Sequence, residues 1–330
     1  MIDVQARLDA LAKPPGSLGK LERLAARLAV TQGRLDPRTT PRRLVVFAGD
    51  HGVVAEGVGL WPSAVTGAMM RLMRAGRSSA SALGRAAGAD FLLVDAGSCT
   101  EGMAPGPGFL DARIGHGTAS FAQGPAMTVA QFDAAWALGA RIAAEAAAEG
   151  IAVLALGEMG IGNTTSAAAL GALLTGASVQ AMVGPGAGAT PESLARKHAV
   201  VAAGLLIAQG ERDERAAIAA VCGYEIAALA GCIAGCAHQG VTVVLDGLIV
   251  GAAALVAQRL APGALETAIA AHVGAEPGHA RMLEAMGLEP FLDWGLRLGE
   301  GTGAALLLPL LDAAAALLIE VATLDEAMGS

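Results

Sequence analysis

Residues 151–170 read IAVLALGEMGIGNTTSAAAL, a six-residue apolar run, a loop almost without bulk, and the start of an alanine-rich helical pattern. The run is continuously apolar rather than alternating, as a strand covered on both faces requires. Three more runs of the same kind end in glycine with an acidic or small polar residue: LVVFAGDHG (44–52), DFLLVDAGS (90–98) and VTVVLDG (241–247). Helical patterns lie between them at 62–88, 128–150, 165–176 and 191–209. This alternation predicts an α/β fold with a Rossmann-like, doubly wound parallel sheet. A ligand then belongs beyond the carboxyl ends of the strands, where the Gly/acid loops gather. Both ends of the chain lack the strand rhythm. Residues 36–275 are expected to form the large α/β domain, and 1–35 with 276–330 a small helical subdomain.

Composition narrows the function classes. The 330 residues are 54% hydrophobic with positive mean hydropathy, which raises the question of a membrane span. The longest apolar stretches are interrupted, 304–322 by Pro309, Asp312 and Glu320, and 226–257 by His238, Gln239 and Asp246. An unbroken span of ~20 apolar residues is therefore not expected. A net charge of -8 with 22 thinly spread basic residues argues against nucleic acid, which calls for a concentrated basic face. The charged, amphipathic N-terminus has no signal core, so a cytoplasmic location is expected. Cys232, Cys236 and His238 have a spacing that a metal site could use, but buried helix cysteines are the commoner reading.

The chemistry sits in the loops. In GEMGIGNTT (157–165), glycines after a strand and before a helix let backbone N–H groups approach an anion at the helix N-terminus. The loop lacks the GxxxxGK[ST] pattern and the third glycine of the dinucleotide fingerprint. A second loop, VGPGAGATPESLARK (183–197), has alternate glycines before a helix that carries Lys197, a compact cation suited to phosphate. Two glycine loops and one lysine, without a cluster of metal carboxylates, fit a monophosphate better than a magnesium-bound pyrophosphate. In RLGEGTGAALLLPLL (297–311), Glu300 lies at a helix start beside a dry region, where it could be a general base or a simple cap. Asp50 and His51 at a strand end read as a turn or as an oriented imidazole.

Together these segments resemble one family, the nicotinate-nucleotide:dimethylbenzimidazole phosphoribosyltransferases of cobalamin lower-ligand synthesis. The resemblance rests on KPPGSLGKLERLA (13–25), FAGDHGV (47–53), GTASFAQGPAMT (117–128), LGEMGIGNTTSAAAL (156–170), LARK (194–197), LDGLIVGAAAL (245–255), EPGH (276–279) and LRLGEGTGAALLLPLL (296–311), in the family's order. It implies a homodimeric enzyme, without cofactor or metal, that takes nicotinate mononucleotide and 5,6-dimethylbenzimidazole and yields α-ribazole 5′-phosphate and nicotinate. It further implies Glu300 as the base acting on the benzimidazole N–H and Glu158 facing the ribose from the other side. Gly160, Gly162, Asn163, Thr164, Gly186 and Lys197 would hold the phosphate and substrate. Ser78, Ser79, Ser81 and Leu298 are candidates for the acceptor pocket.

The chain departs from the family pattern twice. GPGAG (184–188) has Pro185 where the family has an arginine, and RLMRAGRSSASAL (71–83) stands in place of a glycine-asparagine helix entry. Three alternatives therefore remain: a nucleotide-binding homologue without turnover, a transferase with a different acceptor base, and a transferase using phosphoribosyl pyrophosphate. The last lacks the expected adjacent acidic pair.

Overall fold

The computed structural model describes residues 3–101, 103–186 and 188–329. Its sheet has six strands, all parallel: β1 (Arg42–Gly49), β2 (Asp90–Gly97), β3 (Phe109–Asp111), β4 (Val153–Met159), β5 (Thr242–Leu245) and β6 (Ala268–Ala270). Their spatial order is β3-β2-β1-β4-β5-β6, the Rossmann arrangement, which winds outward in both directions from the β1/β4 pair. The strands at 44–52, 90–98, 151–160 and 241–247 were legible as apolar runs. The two edge strands, each three residues long, are too short to show a pattern.

Side-chain direction explains the continuous apolar runs. In β1, Val45 and Phe47 enter one buried cluster, while Leu44, Val46 and Ala48 enter another on the opposite face. Helices on the first face are α5 (Val129–Ala148), α6 (Asn163–Thr175), α7 (Val179–Met182), α8 (Pro191–Gln209), α9 (Glu214–Val221), α10 (Tyr224–Gln239), α11 (Leu248–Leu260) and α12 (Pro277–Met286). On the second lie α1 (Val4–Ala10), α2 (Lys20–Gln32), α3 (Ala64–Arg74), α4 (Ser79–Ala86) and α13 (Thr302–Glu320), with the short α14 (Leu324–Met328) closing the described chain. The helical pattern at 62–88 is two helices, because Ser78 and Ser81 form a reciprocal capping box that starts α4 afresh.

The terminal segments divide between the two faces. Residues of α1, α2 and α13 share a cluster with Leu44, Val46, Val153 and Val244 of the sheet, whereas Met282 of α12 packs with α6 and α11 residues on the other side. Even with Pro309, Asp312 and Glu320 in it, α13 is long and apolar enough by length and composition to cross a membrane. Here 61% of that helix is buried in the protein, and Asp312 on it pairs with Arg42 of β1 at 2.8 Å. Cys232 and Cys236 are fully buried in α10, and His238 on the same helix is exposed.

The closest helix contact, between α5 and α10, uses backbone against backbone. A Cβ on Gly139 would lie 1.7 Å from the carbonyl oxygen of Ala228, and one on Gly231 would lie 2.0 Å from that of Trp136. Gly139→Val must push the helices apart. We expect it to destabilise the protein by about 1–3 kcal/mol or more, the usual cost of overpacking, read as a lower midpoint in urea unfolding. An unchanged midpoint would contradict this contact.

Candidate active site

The β1/β4 switch point opens into a cavity of about 510 Å³ lined by residues from six separate segments of the chain. Glu158 reaches its floor from the end of β4, opposite Phe47 of β1 in the sheet register. Gly160 follows because a Cβ there would lie 2.2 Å from the Gly49 carbonyl oxygen. Gly162 has φ 97° and is the N-cap residue of α6, so the chain turns sharply and aims the first turn of α6 at the cavity. Among the described residues no side chain caps that turn; the Asn163 and Thr165 N–H groups bond the Gly160 and Gly162 carbonyls at 3.3 and 3.0 Å, and the helix start still favours an anion through its dipole.

An anion cradle adjoins this floor. Lys197 of α8 is buried, and its Nζ donates to Thr164 Oγ1 at 2.9 Å and to the Gly184 carbonyl at 3.0 Å. A side chain at Gly186 would crowd Thr164 Oγ1 at 3.1 Å and Lys197 Nζ at 3.5 Å, so glycine keeps the cradle open. Burial lowers the Lys197 pKa to about 8, against the pull of the Glu276 carboxylate, which favours the charged form. Glu276 Oε1 accepts the Gly186 N–H at 2.8 Å, and its Oε2 has no hydrogen-bond partner among the described residues. Pro185 stands on the same rim but offers no cation.

Glu300 enters from the other side on the turn before α13. It has φ 62°, the only positive value at a non-glycine position among the described residues. Such a backbone costs of order 1 kcal/mol and persists only where the surroundings impose it. The Glu300 N–H faces Glu158 Oε1 at 3.4 Å, so the two glutamates meet at one place although 142 residues separate them. Burial raises the Glu300 pKa; the Ala80 N–H in the first turn of α4 pulls it down, and the negative charge of Asp246 adds to the rise. Its Oε2 has no hydrogen-bond partner among the described residues. A carboxylate with raised affinity for protons and a free oxygen in a cavity is equipped to accept a proton.

Glu158 is raised further. Burial lifts its pKa to about 8, helped by Asp246 and Glu225 and opposed by a short hydrogen bond from Asn163 Nδ2 and by the Glu300 N–H. A pKa of about 8 favours the protonated form at neutral pH. A cation placed beside it would favour the carboxylate.

The remaining candidate residues fall in two groups. Leu298 lines the cavity and is largely exposed at its mouth, near the exposed Trp61. Ser78, Ser79 and Ser81 do not line it: Ser78 and Ser81 are buried and bond to each other at the start of α4, and Ser79 is exposed. That segment meets the site through the Ala80 backbone instead.

Several participants were not singled out by sequence reasoning. Asp246 directly follows β5, in a Gly/acid loop like the others, and His272, which lines the cavity, follows β6 with no local motif to mark it. Of the turn at 50–51, Asp50 accepts the Cys99 N–H at 2.8 Å and the Thr66 hydroxyl at 2.6 Å. His51 is an oriented imidazole, buried between Ser166 Oγ at 2.9 Å and Glu225 Oε1 at 2.7 Å, and it ties the first turns of α6 and α10 together. His279 accepts the Gly274 N–H at Nδ1, and burial together with His272 lowers its pKa to about 4, so it is neutral.

A Rossmann-type sheet whose switch-point cavity joins an anion cradle to two buried glutamates defines an α/β enzyme for a phosphorylated small molecule. Comparison with known proteins gives the particular family. A model described as phosphoribosyltransferase matches residues 1–328. The nicotinate-nucleotide–dimethylbenzimidazole phosphoribosyltransferase of Pseudomonas fluorescens is 45% identical over 98% of this chain and 92% of its own length. That of Azotobacter vinelandii is 47% identical over 96% and 90%. The crystal structure of CobT from Thermus thermophilus superposes with a TM-score of 0.94 at 43% identity, covering 98% of this chain and 97% of that one. The chain belongs to the nicotinate-nucleotide–dimethylbenzimidazole phosphoribosyltransferase family.

The cradle makes a direct prediction. Lys197→Met removes its buried cation, and inorganic phosphate should then bind about tenfold more weakly or worse, the scale of one charge-assisted contact. Calorimetric titration measures this; equal affinity would place the anion elsewhere.

Proposed function

We propose that this chain transfers the 5-phosphoribosyl group of nicotinate mononucleotide to 5,6-dimethylbenzimidazole, giving α-ribazole 5′-phosphate and nicotinate with inversion at the anomeric carbon. The observation that carries this reading is the meeting of Glu158 and Glu300 in one cavity whose rim holds the Lys197 cradle. The phosphate docks against Lys197, Gly186 and the first turn of α6. One benzimidazole nitrogen attacks C1′ as the bond from C1′ to the pyridinium nitrogen breaks, its electron pair leaving with neutral-ring nicotinate. Glu300 takes the proton from the other benzimidazole nitrogen. Glu158, as a carboxylate beside the ribose, offsets the positive charge that develops there. Positioning by the cradle and the cavity walls contributes alongside base catalysis, which is worth ~10²–10⁴-fold. We also place the enzyme in the cytoplasm as a homodimer, as the family resemblance implies.

The test is product formation from nicotinate mononucleotide with 5,6-dimethylbenzimidazole, benzimidazole, adenine and p-cresol in parallel. We expect the α-riboside phosphate with the benzimidazoles. Saturable nucleotide binding without product from any acceptor would instead support a homologue that binds and does not turn over. Glu300→Gln should retain nucleotide binding and lose at least tenfold in kcat, and wild-type turnover would remove it as the base.

Binding should also move a proton. Near pH 7 burial holds Glu158 protonated before the nucleotide arrives, and the nucleotide's pyridinium cation lowers that pKa, so nucleotide binding releases a proton. Lys197 is mostly charged already at this pH and adds little uptake. Calorimetry in buffers of different ionisation enthalpy should show release in the wild type and none in Glu158→Gln. Equal release in both would assign the proton to another group.

A further inference from the structure

We infer that Asp246, backed by His272, is a positioning residue of the transfer reaction, locking the turn that carries Glu300 against the sheet. This rests on Glu300 acting as the base. The helix α13 has no cap of its own: its N-cap residue is Gly301, which has no side chain to offer. The missing acceptor comes from the end of β5. Asp246 Oδ2 accepts the Gly301 N–H at 3.0 Å, and Oδ1 accepts those of Gly303 at 2.7 Å and Ala304 at 3.1 Å. One buried carboxylate thus satisfies three N–H groups at the start of the helix, where a negative charge is also favoured by the helix dipole.

The residue next to these donors is Glu300, in its left-handed conformation. Behind the carboxylate stands His272, whose Nε2 lies 3.4 Å from Asp246 Oδ1. The fit is tight, since a Cβ on Gly303 would lie 2.0 Å from His272 Cδ2 and 2.8 Å from Asp246 Oδ1. His272 lines the cavity and is buried, and its Nδ1 has no hydrogen-bond partner among the described residues. Burial disfavours its charge, but Asp246 outweighs that and raises its pKa overall.

The arrangement couples geometry to charge. Asp246 pushes up the pKa of both Glu158 and Glu300, and the same carboxylate favours the charged form of His272 beside it. The titratable groups around Asp246 are thus Glu158 from β4, Glu300 before α13, His272 after β6 and the neutral His279 of α12. Removing the Asp246 charge lowers the pKa of the base, so the acid limb of kcat moves to lower pH. Losing positive charge at His272, where Asp246 favours it, has the opposite sign.

The experiment compares Asp246→Asn, His272→Gln and Glu300→Gln with the wild type across pH, using nicotinate mononucleotide and 5,6-dimethylbenzimidazole. For Asp246→Asn we expect kcat to fall at least tenfold, KM for the nucleotide to stay within about threefold, and the acid limb to move down. For His272→Gln the acid limb should move up. An unmoved limb in both variants would overturn the inference and leave Asp246 as a structural cap. If Asp246→Asn does not fold, His272→Gln still decides by its direction. Glu300→Gln separates the two claims: full activity there removes the base assignment itself, whereas an inactive Glu300→Gln with unmoved limbs removes only the positioning role.

Discussion

The site depends on the turn at 299–301 being pressed onto the end of β4. A Cβ on Gly157 would lie 2.4 Å from the Gly301 nitrogen, and one on Gly299 would lie 2.4 Å from Glu158 Oε1. Neither contact tolerates a side chain: Gly157 and Gly301 let two backbones meet, and Gly299 leaves room for the Glu158 carboxylate. The contact is what brings a residue near the end of the chain to the floor of the switch-point cavity. It also explains why Glu300 adopts a left-handed backbone that glycine would occupy more cheaply. The strain is retained at a position where the side chain has a use.

Gathering Glu158, Glu300 and Asp246 in one buried region would be costly if all three were charged and unpaired. The structure answers each differently. Asp246 receives three backbone N–H groups, Glu158 receives Asn163 and has its pKa raised to about 8, and Glu300 keeps one oxygen free. The cavity is therefore ready for a cation at its floor and for an anion at its rim, where Lys197 waits. Nicotinate mononucleotide has both, a pyridinium ring on the ribose and a 5′-phosphate, and this match of charge is the physical basis of the proposed reaction.

Much of this was legible in the sequence because it is local. Continuous apolar runs gave β1, β2, β4 and β5, and their Gly/acid endings marked the cavity loops. Glu158, Glu300, Lys197 and the glycines between them lie in short motifs, and the fold brings those motifs together. The edge strands β3 and β6 were not legible, since three residues carry no period. Ser78 and Ser81 misled for a different reason: a serine at i and i+3 before an apolar helix is equally a capping box, and α4 uses it as one. The pairing of Asp246 with His272 and with α13 joins residues 26 and more positions apart. Only the parallel order of β4, β5 and β6 makes them neighbours.

The central claim is that one cavity presents two glutamates to opposite faces of the reacting ribose, with the phosphate at Lys197. The most direct measurement is a crystal structure with α-ribazole 5′-phosphate bound. The account predicts the phosphate within hydrogen-bond distance of Lys197 and the first turn of α6, Glu300 beside the benzimidazole nitrogen that bears no ribose, and Glu158 across the anomeric carbon from it. A phosphate outside the cradle, or both carboxylates on one face of the ribose, would contradict it.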